Sequence, residues 1–258
     1  MNKLKTAAAA LMIAAASAAA AAPAVKPTVI LVHGAFADAT SWNGVAAKLR
    51  KDGYTVIGAA NPLRSVKGDA QVVSNIVKSI DGPVVLVGHS YGGSVISAAA
   101  NGNANVKSLV YVAAFAPEQG ETALELSGRF PGGTLGQALA TPVVLAEGGK
   151  DFYIQQDKFH KQFAADLPKA EAALMAVAQR PIAEAALTEA SAAPAWKTLP
   201  SYFIYGTGDK NIPAAALGFM AERAKSRKTV TVAGASHVVM TSNPAAVASL
   251  IEAAAGAN

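Results

Sequence analysis

Residues 83–95, PVVLVGHSYGGSV, restrict most strongly what this chain can become. A run of strand formers, Val84 to Val87, breaks at Gly88, presents Ser90 between His89 and Tyr91, and restarts as a small-residue segment. The spacing is G-x-S-x-G (Gly88, Ser90, Gly92). In so tight a strand-to-helix turn the backbone is strained and the serine hydroxyl is pushed out above the sheet, and only small residues two places before and after avoid a clash. A helix starting at Tyr91 also brings its N-terminus beneath any developing anion. The rival reading, a phosphate-binding turn, fails because GHSYGG does not fit G-x-G-x-x-G and no Gly-Lys-Ser/Thr follows. Ser90 is therefore the candidate nucleophile.

Around this turn, strand-like and helix-like runs alternate, the pattern of an α/β chain whose mostly parallel central sheet is flanked by helices. Strands are expected over 28–34, 54–60, 83–90 and 106–115. Between them come helices in TSWNGVAAKLRKDG, with Asp38 or Thr40 as N-cap and Gly53 as stop, in DAQVVSNIVKSI (69–80) and in SVISAAANG (94–102). The regularity stops after this fourth strand. Residues 116–199 hold Gly-Pro punctuation, one short apolar run (TPVVLAEG) and helical stretches, read as a mainly helical cap inserted over the sheet. Alternation resumes with PSYFIYGTGD, AAALGFMAERAKS, KTVTVAG and PAAVASLIEAAA. The expected division is 27–115 and 200–258 as core, with 116–199 as cap.

Serine is a poor nucleophile at neutral pH and needs a base within hydrogen-bond reach, itself oriented by an acid. Of the four histidines, His89 adjoins Ser90 and points away from it, His160 lies in a polar helix of the insertion, and His33 ends the first strand, where it fixes a loop. His237, in a loop after the last strand, remains as the base. The acid is sought at the C-terminal end of another strand, where catalytic groups of open α/β sheets gather. Asp209 lies there, and the chain order Ser90, Asp209, His237 suits a nucleophile elbow; Glu118 is the fallback. Oxyanion donors are expected in the N–H of Tyr91 and in the loop after the first strand, HGAF, where Gly34 lets the backbone turn and the N–H of Ala35, or Phe36 as second choice, faces the pocket.

Composition narrows the setting. Residues 1–22 have a two-lysine start, an apolar stretch centred on Leu11, Met12 and Ile13, and an A-x-A-like end, the pattern of a secretory signal peptide. Cleavage after Ala20 or Ala21 is favoured over Ala22, since Pro23 would follow the latter. The chain is thus expected to be periplasmic or secreted, without stable membrane association once the leader is removed. It holds no cysteine, so disulfides, thiolate chemistry and sulfur-based zinc sites are excluded. The formal charge of +5, of which Lys3 and Lys5 supply two, is too small to argue for nucleic acid, and RAKSRK (223–228) reads as a solvated helix end.

LVHGAF with SW, LVGHSYGG, GDKNIP, FMAERA and SHVVM fall in an order that resembles the single-domain α/β-hydrolases of the plant methylesterase and hydroxynitrile lyase group, with related small bacterial esterases. The resemblance covers about residues 27–115 and 200–255 and is weak across the insertion. It implies Ser90, His237 and Asp209 as triad, Ala35 and Tyr91 as oxyanion donors, no cofactor and no metal, and a lid made by 116–199. The lyases of this group carry Thr in place of Gly34 and Lys directly after the catalytic His; here Gly34 and Val238 stand there, which points to ester hydrolysis.

The expected partner is a small-molecule ester, cleaved through an acyl-enzyme. Lactonase, amidase or cofactor-free haloperoxidase chemistry would use the same triad, and a hydrolase-fold protein that binds a small ligand without turnover is the alternative of another class. The sequence sets neither the oligomeric state nor the acyl and alcohol groups. Phe152, Tyr153 and Trp196 are the pocket candidates taken from the insertion, with Phe159 and Phe163 beside them; aromatics at helical spacing also serve as core.

Overall fold

The computed structural model describes residues 25–256; the leader expected over 1–22 lies outside them. Six parallel strands form the central sheet in the order β2-β1-β3-β4-β8-β9, with β1 Thr28–Val32, β2 Val56–Ala59, β3 Val84–His89, β4 Val106–Val112, β8 Ser201–Gly206 and β9 Lys228–Val232. The central strands are continuous apolar runs because both faces are covered: every residue of β3 and β8 is buried, whereas the edge strand β9 alternates toward solvent. The covering helices are α1 Asn43–Lys51, α2 Val66–Lys78, α3 Gly92–Ala99, α9 Ala214–Arg223, the short α10 Val239–Ser242, and α11 Pro244–Gly256. α1 packs on α11, and α2 on α3.

The chain runs outward from β1 to β2 and then returns to place β3 on the other side of β1. In open α/β sheets such a reversal opens a crevice at the strands' carboxyl ends, where ligands bind. Val32 lies opposite Gly88, so the loops after β1 and β3 leave the sheet side by side at that point.

Between β4 and β8 lies the insertion, with helices α4 Ala123–Gly128, α5 Leu135–Ala138, α6 Gln156–Phe163, α7 Lys169–Ala178 and α8 Glu184–Thr188. It also contains a small antiparallel sheet of β5 Val143–Val144, β6 Lys150–Phe152 and β7 Ile182–Ala183, in that order. The cap is therefore mainly helical, with a sheet that strands of two or three residues do not announce by periodicity.

Two boundaries differ instructively from expectation. α2 starts three residues before Asp69, because Ser65 caps it by accepting from Gly68 N–H at 3.0 Å. Asp69 is instead turned into the protein. β4 ends at Val112 rather than 115, since Ala113 takes a left-handed conformation (φ 45°) that leaves the ladder. Asp38 is the cap before α1: its carboxylate accepts from Thr40 N–H at 2.7 Å, opening a single 3-10 turn over Ala39–Trp42.

Candidate active site

Ser90 follows β3 directly and has φ 53°, a left-handed value that costs a non-glycine residue about 1 kcal/mol or more. The turn is fixed from both sides, with Ser90 N–H donating to Val112 O at 3.3 Å and Ser90 O accepting from Gly93 and Phe115 N–H at 3.0 and 3.1 Å. A Cβ on Gly88 would lie 2.5 Å from the carbonyl oxygen of Gly92, which explains the small residue there. One on Gly34 would lie 2.6 Å from Ser90 Cβ and 2.7 Å from His89 O, so the first loop reaches the serine only as glycine.

His237 and Asp209 are brought together by the loops after β9 and β8. Asp209 Oδ2 accepts from His237 Nδ1 at 2.6 Å, and Oδ1 accepts from the backbone N–H groups of Asn211 (2.8 Å) and Ile212 (3.0 Å). A carboxylate only accepts, so Nδ1 carries the proton and Nε2 presents its lone pair. His237 is 1% exposed and Ser90 7%, so both lie in a nearly dry setting. Ser90 Oγ makes no hydrogen bond among the described residues.

The other histidines take supporting places. His89 Nε2 donates to His237 O at 3.1 Å, and its ring lies 4.8 Å from that of His237. Burial, helped by the neighbouring His237, pushes the His89 pKa well below the ordinary imidazole value, which keeps it neutral. His33 accepts Asn61 N–H at Nε2 (3.1 Å) and donates from Nδ1 to Gly34 O (2.9 Å), so it holds the first loop. His160 bonds Leu167 O at 2.9 Å within the insertion.

Ala35 and Tyr91 are both buried, and the backbone N–H of each has no acceptor among the described residues. Phe36, the second choice, is ruled out as a donor: its N–H is taken by Arg180 O at 3.0 Å. Glu118, the fallback acid, pairs with Lys197 at 2.6 Å and does not reach His237.

The aromatics chosen from the insertion take partners of their own. Trp196 donates from Nε1 to Pro117 O at 2.9 Å and packs under Arg223, at the base of the insertion. Phe152 lies in the small sheet opposite Ile182, and Tyr153 lines an outer groove with Val143 and Val177. Phe163 is the ring that meets the site, 5.2 Å from His237 and 6.2 Å from Phe36, backed by Phe159 at 4.9 Å. The two were legible as a pair four residues apart in α6, though that spacing reads equally as core. Asp166, unforeseen, accepts from Ser236 Oγ next to His237. A cleft of about 150 Å³ lined by Phe36, Ser41, Met175 and Gln179 opens beside the first loop. Among the described residues there is no group of three or more potential metal ligands, and no helix is long and apolar enough to cross a membrane.

Comparison with known proteins agrees with this architecture. The chain is 33% identical over 132 residues to a carbendazim hydrolyzing esterase of Nocardioides sp. (strain SG-4G), a match over 43% of this chain that spans about half, 54%, of that protein. It is 26% identical over 253 residues to an alpha/beta hydrolase of Aspergillus novofumigatus, covering 90% of this chain and 98% of the other. The crystal structure of polyneuridine aldehyde esterase superposes with a TM-score of 0.76 at 18% identity, over 89% of this chain and 99% of that one, a likeness of fold to the methylesterase-like group. The alpha/beta hydrolase family model matches residues 29–250, and the chain belongs to that family.

Proposed function

We propose that the protein is a serine hydrolase that cleaves carboxylic esters of small molecules. The observation that carries this reading is the buried Asp209–His237 pair at 2.6 Å, whose imidazole lies 4.8 Å from the ring of His89, the residue before a serine held left-handed at the sheet's switch point. In the proposed cycle Ser90 Oγ attacks the acyl carbonyl while His237 Nε2 takes its proton. The negative charge that develops on the carbonyl oxygen is received by the N–H groups of Ala35 and Tyr91. Collapse expels the alcohol, which takes the proton from Nε2, and leaves the acyl group on Ser90. Water, deprotonated by Nε2, then releases the acid by the same steps. Asp209 keeps its charge throughout and stabilises the imidazolium. The esterase names among the relatives support hydrolysis of esters in general. Gly34 and Val238, standing where the lyases carry Thr and Lys, support it further. The near-closed site favours compact substrates.

The test is a fluorophosphonate probe on the protein, digested for mass spectrometry, with p-nitrophenyl acetate and butyrate turnover in parallel. Labelling is expected at Ser90, and Ser90→Ala should lower turnover by about 10³-fold or more. A folded Ser90→Ala variant with near-normal turnover would sink the assignment. We further propose export to the periplasm or beyond, supported by the composition of residues 1–22; N-terminal sequencing of the mature protein checks it, and a retained Met1 refutes it.

A further inference from the structure

The insertion touches the core at two places that flank the candidate oxyanion donors, and one short segment makes both contacts. On one side Arg180 O takes the N–H of Phe36, the residue after Ala35. On the other, Ala183 N–H donates to Leu63 O at 3.0 Å, and Pro181 O accepts from Arg64 Nη2 at 3.0 Å. Arg64 Nη1 also bonds Asp151 Oδ1 on β6 at 2.6 Å. The backbone N–H of Arg64 donates to both carboxylate oxygens of Asp69 at 3.2 Å, and Asp69 Oδ2 accepts from the hydroxyl of Tyr91 at 2.9 Å. Asp69 is 1% exposed and Tyr91 fully buried.

Both ends of this path are strained. Phe36 (φ 60°) and Leu63 (φ 63°) are left-handed without being glycine. Such conformations persist only where surrounding bonds over-determine them, and they mark places where position matters. Asp69 sits on the inner side of α2, where an apolar residue would give an ordinary helix packing. A buried carboxylate there is costly unless donors meet it. Its donors are the backbone N–H of Arg64, whose guanidinium the insertion holds, those of its neighbours Ser65 and Leu63, and the hydroxyl of Tyr91, adjacent to Ser90. Burial raises the Tyr91 phenol well above its usual range, with Asp69 adding to the rise, so Tyr91 remains the donor of this bond.

We propose that residues 180–183, acting through Arg180 O on one side and through Arg64 and Asp69 on the other, form a strut that sets the two N–H groups of Ala35 and Tyr91. Arg64 and Asp69 are thus positioning residues, and the insertion completes the oxyanion site besides covering it. This rests on the serine hydrolase reading above. Loss of a whole oxyanion donor costs about 10²–10³-fold in kcat. Loosening one that stays in place should cost less, about tenfold, and should fall on kcat because the ground-state carbonyl scarcely uses the donor.

The experiment compares Tyr91→Phe, Asp69→Asn, Arg64→Gln and Arg64→Lys in the full chain, reading kcat and KM on p-nitrophenyl butyrate, the rate of fluorophosphonate labelling at Ser90, and Tm. Expected are kcat and labelling rates down by about tenfold in Tyr91→Phe and Arg64→Gln, with KM within about twofold. Arg64→Lys, which keeps one cationic contact to the insertion, should recover part of the loss. Because the two residues act on one path, Arg64→Gln with Tyr91→Phe should cost little more than the worse single change. If Asp69→Asn fails to fold, the other three decide. Folded Tyr91→Phe and Arg64→Gln variants with kcat within twofold of the parent, or losses confined to KM, overturn the strut while leaving the hydrolase reading intact. A parent protein that neither labels at Ser90 nor turns over esters overturns both.

Discussion

The arrangement of Asp209 predicts a specific failure for its closest isostere. Oδ1 is fixed by two backbone donors, Asn211 at 2.8 Å and Ile212 at 3.0 Å, while Oδ2 faces His237 Nδ1 at 2.6 Å. In Asp209→Asn the amide oxygen must stay with the two backbone N–H groups. The flipped amide would set NH₂ against two donors, at about 1–3 kcal/mol for each buried group left unpaired. The NH₂ therefore faces Nδ1, which can meet it only as an acceptor. The imidazole proton moves to Nε2, and the nitrogen that should take the Ser90 proton already holds one. The same swap in other Ser-His-Asp enzymes lowers kcat by about 10⁴, or 5.5 kcal/mol of transition-state stabilisation. The assay is kcat on p-nitrophenyl butyrate, with Tm to show that the fold survives. Asp209→Ala enforces neither tautomer and should be no worse than Asp209→Asn. Asp209→Asn within tenfold of the parent, or Asp209→Ala far below it, would refute the tautomer argument.

Gly34→Ala sets a methyl against Ser90 Cβ and His89 O, both parts of a fixed turn, so Ser90 must move. We expect about 1–3 kcal/mol of lost stability by chemical denaturation and a fall in kcat of about 10²-fold; parental turnover would show that the loop yields instead. Glu121, at the base of the insertion, is pushed up by burial, but the Arg223 guanidinium (2.8 and 2.9 Å) with Glu118 N–H and Arg129 outweighs this and brings its pKa from 4.5 down to about 2. A depressed carboxylate pKa stabilises the fold above its unfolded value and loses that contribution as pH falls through the folded one. With the side chain 15% exposed, the contribution at pH 7 is at most about 3 kcal/mol, with roughly 2 of it gone by pH 3. Urea unfolding at both pH values should show that drop in the parent and a much smaller one in Glu121→Gln; equal drops would place the acid sensitivity elsewhere.

What the sequence disclosed and what it hid divide along a physical line. The elbow was legible because its determinants are neighbours: Gly88 must admit the Gly92 carbonyl four residues on, and the strand before it is wholly buried. Asp209 and His237 were legible because each closes a strand of a sheet whose topology gathers strand ends at one edge. Asp69 was not legible, since its residue type fits the start of a helix and its actual partners, Tyr91 and Arg64, are set by tertiary packing. Propensity assigns Asp to a cap; burial beside a tyrosine hydroxyl overrides it. Trp196 misled for the converse reason, because size marks a side chain that needs burial without saying where, and Arg223 and Pro117 O receive it at the base of the insertion. The same holds for Phe163, whose contact with His237 comes from a loop more than 70 residues away. The hidden contacts are those by which the insertion grips the core, and under the proposed strut they are the ones that would set the oxyanion donors. Variation in this family's insertions should therefore alter kcat as well as KM, since the segment over the pocket is also the segment that holds Phe36 and Arg64.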